Sequence, residues 1–261
     1  MNAVIITGAN GNIGSKIAEN LLQNGSNVLL LYNQNRQRID KLSENYPEQT
    51  LSLQCDIRDL TTLQPAIKDS LAAKGWFAVS LIHTAAMRST DHSSLVESNS
   101  ALWYEVIDSN IMGTYNVLKV VINVFLSTRD RTVLKISDKR DDFFRIVLLG
   151  SDVSRIGLPY GSAYAASKAA VSNIARTLSV EHGKDMIMIN TISPGPVNID
   201  DTHFSEEYRA FRNDYYRKML SQIPLKRLAE AEDISGLAIF LISEENRYIT
   251  GEEFFVTGGK R

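Results

Sequence analysis

Three residues of the chain have the chemistry of a proton-transfer site. Tyr164 and Lys168 lie four residues apart, and Ser151 precedes the tyrosine by thirteen residues. Residues four apart share one face of a helix, and an ammonium group beside a phenol favours the phenolate. A free tyrosine has a pKa of about 10, whereas an acid/base catalyst works best with a pKa near the operating pH. We therefore expect Lys168 to lower the pKa of Tyr164, and Ser151 to hold and polarise a substrate oxygen.

Short apolar runs alternate with segments of helical periodicity along the chain. The predicted strands are Ala3–Ile6, Val28–Tyr32, Leu51–Cys55, Val79–His83, Arg145–Leu149, Met186–Ile192 and Phe254–Val256. The predicted helices are Ile13–Asn24, Arg36–Asn45, Leu60–Ala73, Leu102–Phe125, Ala163–Glu181 and Ala231–Ser243. Most of the strands are apolar on both faces, which is typical of a parallel sheet covered by helices. The alternation predicts an α/β fold, a doubly wound parallel sheet (Rossmann fold) of about seven strands with helices on both faces, in a single domain spanning residues 1–261.

Two segments interrupt this alternation. Ser127–Asp142 is polar and charged, which predicts a surface loop before the fifth strand. Asn198–Pro224 is rich in aromatic and charged residues, and Tyr208, Phe211 and Tyr215 within it share a helical face. This second segment is either a small helix that packs on the body of the protein or a lid that covers the substrate.

A glycine-rich loop follows the first predicted strand and opens the first predicted helix. It spans Thr7–Gly14, with glycines at positions 8, 11 and 14. In that setting, glycines permit a tight turn, a close approach of the backbone to phosphate and close packing of helix on strand. The helix N-terminus presents unpaired N–H groups to a pyrophosphate. The loop therefore predicts a dinucleotide site.

The residues after the second strand bear on which dinucleotide binds. An acid at the end of that strand would bond the ribose 2′-hydroxyl of NAD, but Tyr32 and Asn33 stand there and the first acid is Asp40. Arg36 and Arg38 follow and could meet a 2′-phosphate. The pattern favours NADP over NAD, with the alternative that both arginines face solvent.

Composition narrows the class of protein. The 261 residues are 44% hydrophobic with a net charge of −2, which gives no reason to expect nucleic acid or an anionic membrane as partner. The single cysteine, Cys55, cannot form an internal disulfide. A strand-like run begins almost at once and no apolar run approaches the ~20 residues of a membrane span, so we expect a cytoplasmic protein without a signal peptide. The histidines have no ligand spacing, so we expect no metal site.

Taken in order, the glycine loop, Ser151, Tyr164 and Lys168 resemble the short-chain dehydrogenase/reductase family, and the resemblance covers essentially the whole chain. It is similar to the compact type that includes 3-oxoacyl-[acyl-carrier-protein] reductases. The resemblance implies an NAD(P)-dependent enzyme that interconverts a carbonyl and a secondary alcohol of a small molecule. It also implies a homo-oligomer, a dimer or a tetramer, that pairs the long fourth and fifth helices. The alternative is that the alanines of Ala163–Glu181 pack against the protein's own sheet.

The resemblance also implies residue roles. The implied catalytic residues are Asn110, Ser151, Tyr164 and Lys168. The implied cofactor contacts are Thr7, Gly8, Asn10, Gly11, Asn12, Ile13, Gly14, Tyr32, Asn33, Asp56, Ile57, Thr84, Ala85, Ala86, Tyr164, Lys168, Pro194, Gly195 and Val197. Tyr164 would exchange a proton with the substrate oxygen, and Lys168 would also grip the nicotinamide ribose. Asn110 would hold a water that links Lys168 to solvent.

Two departures from the family pattern leave alternatives open. The glycine spacing is that of the longer sugar-nucleotide branch, so a sugar or sugar-nucleotide reductase or epimerase is one alternative. His83-Thr84-Ala85-Ala86 replaces the usual Asn-Asn-Ala-Gly, which bears on the geometry of the loop near the cofactor. His83 itself is expected to be structural. A dinucleotide-sensing protein without catalysis is the other alternative, since a fold alone does not establish activity.

Overall fold

The computed structural model of the protein describes residues 1–88, 90, 93–128, 143–200 and 205–260. Its strands are β1 (Asn2–Thr7), β2 (Asn27–Tyr32), β3 (Thr50–Gln54), β4 (Phe77–His83), β5 (Phe144–Leu149), β6 (Ile187–Pro194) and β7 (Glu253–Val256). All pair in parallel, in the order β3-β2-β1-β4-β5-β6-β7. The predicted doubly wound sheet is confirmed, and each predicted strand lies within two residues of the observed bounds.

Helices connect the strands and cover both faces of the sheet. They are α1 (Asn12–Gln23), α2 (Gln37–Asn45), α3 (Leu60–Lys74), α4 (Ser100–Ile107), α5 (Gly113–Thr128), α6 (Val153–Ile156), α7 (Ser162–His182), α8 (Glu206–Leu220) and α9 (Ala231–Ile242). The predicted helix Leu102–Phe125 is in fact α4 and α5, joined by a π-helical turn at Asp108–Met112. The segment Asn198–Pro224 contains α8, and the predicted loop Ser127–Asp142 lies almost entirely outside the described residues.

The core has two layers, one on each face of the sheet. Along β1, Ala3 and Ile5 pack with the side chains of α3, α5 and α7. Val4 and Ile6 point the other way and pack with α1, α2 and α9. This alternation follows from the two-residue period of a strand, and it explains why β1 is apolar throughout.

The direction of winding reverses between β1 and β4, which lie side by side in the sheet. From β1 the chain moves outward to β2 and β3, and from β4 it moves outward to β5, β6 and β7. Ligands of open α/β sheets bind in the crevice at such a reversal, outside the carboxyl ends of the strands. The glycine loop after β1 and the loop after β4 border this crevice.

One helical stretch, Ser100–Thr128, is long and apolar enough to cross a membrane by length and composition alone. However, 56% of its most apolar window is buried inside the protein. Val117, Val120 and Val121 from this stretch belong to the core that packs on the sheet. Burial within the fold accounts for its apolar character.

Candidate active site

Ser151, Tyr164 and Lys168 meet at the carboxyl end of β5. Ser151 lies two residues after the end of the strand, and α7 presents Tyr164 and Lys168 on one face as their spacing predicts. Ser151 and Tyr164 line the same cavity. Lys168 is buried behind Tyr164, with its Nζ 5.7 Å from the centroid of the phenol ring and donating a hydrogen bond of 2.7 Å to the carbonyl oxygen of Leu149.

Burial dominates the electrostatics of these residues. Burial raises the pKa of Tyr164, while the positive charge of Arg88 and a hydrogen bond with Ser151 lower it by less. Burial, assisted by repulsion from Arg88, lowers the pKa of Lys168 to about 7. Tyr164 is therefore protonated at neutral pH. The cation that lowers the pKa of Tyr164 in this structure is Arg88, whereas the sequence led us to expect Lys168 in that role.

Asn110 lies in the π-helical turn and fixes the loop after β4. Its Oδ1 accepts a hydrogen bond of 2.6 Å from the backbone N–H of Met87, and its Nδ2 donates to the Met87 carbonyl at 2.9 Å. The same Nδ2 is 3.0 Å from the hydroxyl of Ser167 on α7. The π-helical turn thus places an amide between the two elements and holds the backbone immediately before Arg88.

His83 is a buried bridge rather than a base. Its Nδ1 is 2.7 Å from the Thr7 hydroxyl, and its Nε2 is 2.9 Å from the Thr114 hydroxyl. The Thr114 hydroxyl donates to the carbonyl of Asn110 at 2.6 Å, so the histidine donates from Nε2 and accepts at Nδ1. Burial lowers the pKa of His83 to about 3, with a contribution from Lys168. The neutral ring joins β1, β4 and α5 beneath the site.

A buried ion pair lies next to Ser151. The Nζ of Lys260 is 2.8 Å from Oδ2 of Asp152, and the two side chains are only 5% and 6% exposed. Both residues line the cavity that contains Ser151 and Tyr164. The pair therefore joins the end of the described chain to the segment that carries the serine.

Helix α8 forms part of the cavity wall. The predicted aromatic face of Tyr208, Phe211 and Tyr215 points into the cavity, together with Arg212 and Tyr216. Ser205 caps this helix by accepting a hydrogen bond from the backbone N–H of Tyr208 at 3.2 Å, as is typical of an N-cap serine. Of the predicted cofactor contacts, those that border this cavity are Ile13, Tyr164, Pro194, Gly195 and Val197.

The backbone of the glycine loop packs so closely on its neighbours that there is no room for a side chain at Gly8 or Gly14. Gly8 has a φ of +65°, and a Cβ there would lie 2.6 Å from the backbone nitrogen of Ala85. A Cβ at Gly14 would lie 2.5 Å from the Gly8 carbonyl oxygen and 2.7 Å from Oγ1 of Thr84. Helix α1 begins after Gly11 with no side-chain cap and no acid in its first turn. Its N–H groups are thus open to an anion, so the loop fits the pyrophosphate of a dinucleotide.

A second cavity continues from the glycine loop across the ends of β2 and β3. The predicted cofactor contacts that line it are Gly8, Gly11, Tyr32, Asn33, Asp56, Ile57, Thr84, Ala85 and Ala86. Asp56 is held by Arg58, whose Nε is 3.0 Å from both carboxylate oxygens, and this hydrogen bonding lowers the pKa of Asp56. The remaining predicted residues lie outside both cavity linings: Thr7, Asn10, Asn12, Gly14, Asn110 and Lys168.

The two arginines after β2 are both engaged. Arg38 donates from its backbone N–H to Oδ1 of Asn10 at 2.9 Å and from Nη1 to the Asn10 carbonyl at 3.1 Å. Its Nη2 is 2.9 Å from a carboxylate oxygen of Asp200. Arg36 pairs with Asp40 at 2.7 Å. Asn10, which we predicted to contact a cofactor, therefore also anchors Arg38 to the glycine loop.

We expect Gly14→Ala to weaken NADPH binding by at least about tenfold and to lower the free energy of unfolding by about 1–3 kcal/mol, because the added methyl overpacks the loop. Fluorescence titration and urea denaturation would measure both effects. Gly236→Ala is the matched control, since it also lies in a helix but a Cβ there meets nothing within 4 Å. Equal NADPH affinity in the two variants would contradict this packing argument.

Sequence reasoning missed Arg88 and the Asp152–Lys260 pair, and it included Arg212 and Tyr216 only as members of the segment Asn198–Pro224. Arg88 carried a usable signal, because a charged residue soon after a buried strand points to the functional edge of a parallel sheet. Lys260 carried none, because it is 108 residues from its partner along the chain. Within the described ranges, no three metal-ligating side chains come together as a candidate metal site.

Comparison with known proteins agrees with this geometry. The family model described as enoyl-(acyl carrier protein) reductase matches residues 8–261. The 3-oxoacyl-[acyl-carrier-protein] reductase FabG of Staphylococcus epidermidis is 28% identical over 260 residues, covering 98% of both chains. A short-chain type dehydrogenase/reductase from Mycobacterium ulcerans superposes with a TM-score of 0.83 at 22% identity, covering 99% of this chain and 89% of that one. ElxO with NADP bound gives 0.82 at 24% identity, covering 99% and 98%.

The chain therefore belongs to the short-chain dehydrogenase/reductase family of NAD(P)-dependent oxidoreductases. The resemblance noted from the sequence motifs is confirmed, and the family accounts for the nicotinamide dinucleotide site that the glycine loop predicts.

Proposed function

We propose that the protein reduces the carbonyl group of a small molecule to a secondary alcohol with NADPH, and catalyses the reverse reaction with NADP⁺. The observation that carries this proposal is the convergence of Ser151 and Tyr164 in one cavity, with Lys168 directly behind the tyrosine. The nicotinamide would lie on the side formed by Ile13, Pro194 and Gly195, within the same cavity.

The chain's own residues supply proton transfer and charge stabilisation. When bound, the cofactor supplies or accepts the hydride. Tyr164 gives its phenolic proton to the substrate oxygen in reduction and takes it back in oxidation. Ser151 donates a hydrogen bond to the same oxygen and stabilises the charge that develops on it. Lys168, with its pKa lowered to about 7, is poised to return a proton towards Tyr164.

A preference for NADP is supported by the end of β2. Tyr32 and Asn33 place no carboxylate against the ribose 2′-hydroxyl. Arg36 and Arg38 follow within six residues of Tyr32, and a 2′-phosphate would compete for their guanidinium groups with the carboxylates of Asp40 and Asp200. The relative ElxO was solved with NADP bound, which agrees with this preference.

The proposal also includes a substrate-covering segment, a homo-oligomer and a cytoplasmic location. Segment Asn198–Pro224 would cover the substrate, because the aromatic face of its helix α8 forms a cavity wall. A homodimer or homotetramer would pair α4, α5 and α7. This is supported by Ala166 and Ala169, which are exposed rather than packed on the protein's own sheet. A cytoplasmic location fits the single free cysteine, Cys55.

The raised pKa of Tyr164 makes the two directions respond differently to pH. Reduction needs the protonated phenol, so kcat/KM for reduction should not rise between about pH 8 and 10. Oxidation needs the phenolate, which is scarce below the pKa, so kcat/KM for oxidation should rise about tenfold per pH unit over that interval. Steady-state assays in both directions would measure this. A flat oxidative profile would contradict the role given to Tyr164.

The function is tested by following NADPH and NADH oxidation with purified protein across 3-oxoacyl thioesters, simple ketones, oxo acids and keto-sugars. Turnover of one class with a preference for NADPH supports the proposal. Tight NADPH binding without turnover of any class would favour the nucleotide-sensing alternative and overturn it.

A further inference from the structure

A charged residue that the mechanism does not use lies in the substrate cavity. Arg88 lies in the loop after β4, and its side chain lines the same cavity as Ser151 and Tyr164. The hydrogen bonds from Asn110 to both backbone groups of Met87 hold the loop immediately before it. Arg88 therefore enters the cavity from a fixed backbone.

Arg88 shares its cavity with Tyr164, the residue that exchanges a proton with the substrate in the proposed reaction. Its positive charge acts on the phenol of Tyr164 and lowers that group's pKa. Its charge also lowers the pKa of Lys168. On the α8 side, Tyr208 and Tyr216 line the same cavity as Arg88. An anion paired with this guanidinium would thus lie beside the carbonyl that Tyr164 protonates.

The described lining of the cavity offers Arg88 no free carboxylate. Its one acid, Asp152, is already paired with Lys260 at 2.8 Å. Withdrawing a cation from water is costly unless an opposite charge accompanies it. The cavity is therefore suited to a ligand that brings a negative charge.

We propose that Arg88 is the anion-binding residue of the substrate cavity, and that the substrate carries a carboxylate or phosphate close to its reacting carbonyl. This inference rests on the proposed reductase function and names the substrate class. A planar guanidinium group binds a carboxylate and a phosphate in the same way, through paired hydrogen bonds. A neutral ketone or thioester would bring no negative charge to Arg88.

The test compares matched substrates that differ in charge. Acetoacetate is paired with acetoacetamide, and dihydroxyacetone phosphate with dihydroxyacetone, in NADPH-dependent reduction. The anion of at least one pair should exceed its neutral partner in kcat/KM by about 10- to 100-fold, the range of a charge-assisted hydrogen bond. The pair in which the anion is the better substrate shows whether the substrate's charged group is a carboxylate or a phosphate. Equal kcat/KM within both pairs, or a neutral acetoacetyl thioester exceeding both anions, would overturn the inference.

Variants assign the effect to the residue. Arg88→Gln should abolish the preference for the anion, mainly through a higher KM, and Arg88→Lys should restore part of it. Arg217→Gln is the matched control, since it removes an exposed arginine of α8 that does not line the cavity. A preference that survives in folded Arg88→Gln would overturn the assignment.

Calorimetry separates failure of this inference from failure of the proposed function. Acetoacetate, acetoacetamide, dihydroxyacetone phosphate and dihydroxyacetone are each titrated into the protein saturated with NADP⁺, where no reduction can occur. Tighter binding of an anion to wild type but not to Arg88→Gln, without turnover in any assay, would support the anion subsite and reject the reductase. Turnover with equal binding of anion and neutral partner would support the reductase and reject the subsite.

Discussion

Tyr164→Phe is expected to lower kcat for carbonyl reduction by about 10²- to 10⁴-fold, the usual contribution of general acid catalysis. The variant keeps the ring that packs in the cavity and removes only the proton donor. Ser151 would still polarise the substrate oxygen, but no group beside it would supply the proton. The dissociation constant for NADPH should change little, because the glycine loop and the ends of β2 and β3 are untouched.

The matched control is Tyr248→Phe, which removes the hydroxyl from a tyrosine that is 95% exposed. Steady-state kinetics and NADPH fluorescence titration of both variants would separate chemistry from binding. Near-normal turnover of Tyr164→Phe would mean that another group donates the proton. Equal losses of turnover in both variants would also contradict the assignment, since they would point to a general effect on the fold.

Lys260→Met is expected to lower the free energy of unfolding by about 3–5 kcal/mol, the usual cost of leaving one member of a buried ion pair without its partner. Asp152 accepts from Lys260 at 2.8 Å, and both side chains are almost completely buried. The loss should also reduce turnover, because the uncompensated carboxylate adjoins Ser151 and would draw water or protons into the cavity. Urea denaturation monitored by circular dichroism would give the change in stability.

Two further variants separate the effect of breaking the Asp152–Lys260 ion pair from the effect of removing a lysine. The double variant Asp152→Asn/Lys260→Met removes both charges and should recover part of the stability, because no unpaired charge is then buried. Lys184→Met removes an exposed lysine and should leave stability within about 0.5 kcal/mol of wild type. If the stability lost in the double variant equalled the sum of the losses in Asp152→Asn and Lys260→Met alone, the broken ion pair would not be the cause of the instability.

The features that the sequence predicts well are those encoded by local spacing. Strands such as β1 have apolar runs of the right length, and the glycine loop is recognisable from its position between a predicted strand and a predicted helix. The four-residue separation of Tyr164 and Lys168 places both on one face of α7 in the structure. In each case the residues that determine the geometry are close together in the chain.

Features that depend on distant contacts were not predictable in this way. The apolar pattern of Leu102–Phe125 gives no sign of the π-helical turn that carries Asn110. Lys260 meets Asp152 because β7, the outermost strand beside β6, brings the end of the described chain to the carboxyl ends of the strands. The pKa of Tyr164 likewise depends on burial and on Arg88, whereas sequence spacing offered only Lys168 as a cation.

Hydride transfer coupled to Tyr164 is tested most directly with NADPH deuterated at C4, prepared as each of the two stereoisomers. The label would be followed by mass spectrometry into the alcohols formed from oxo acids, ketones, keto-sugars and 3-oxoacyl thioesters. We predict that wild type transfers deuterium from one stereoisomer to the carbonyl carbon, and that Tyr164→Phe transfers almost none. Absence of labelled alcohol from every substrate class, or equal labelling by the variant, would contradict this account of the site.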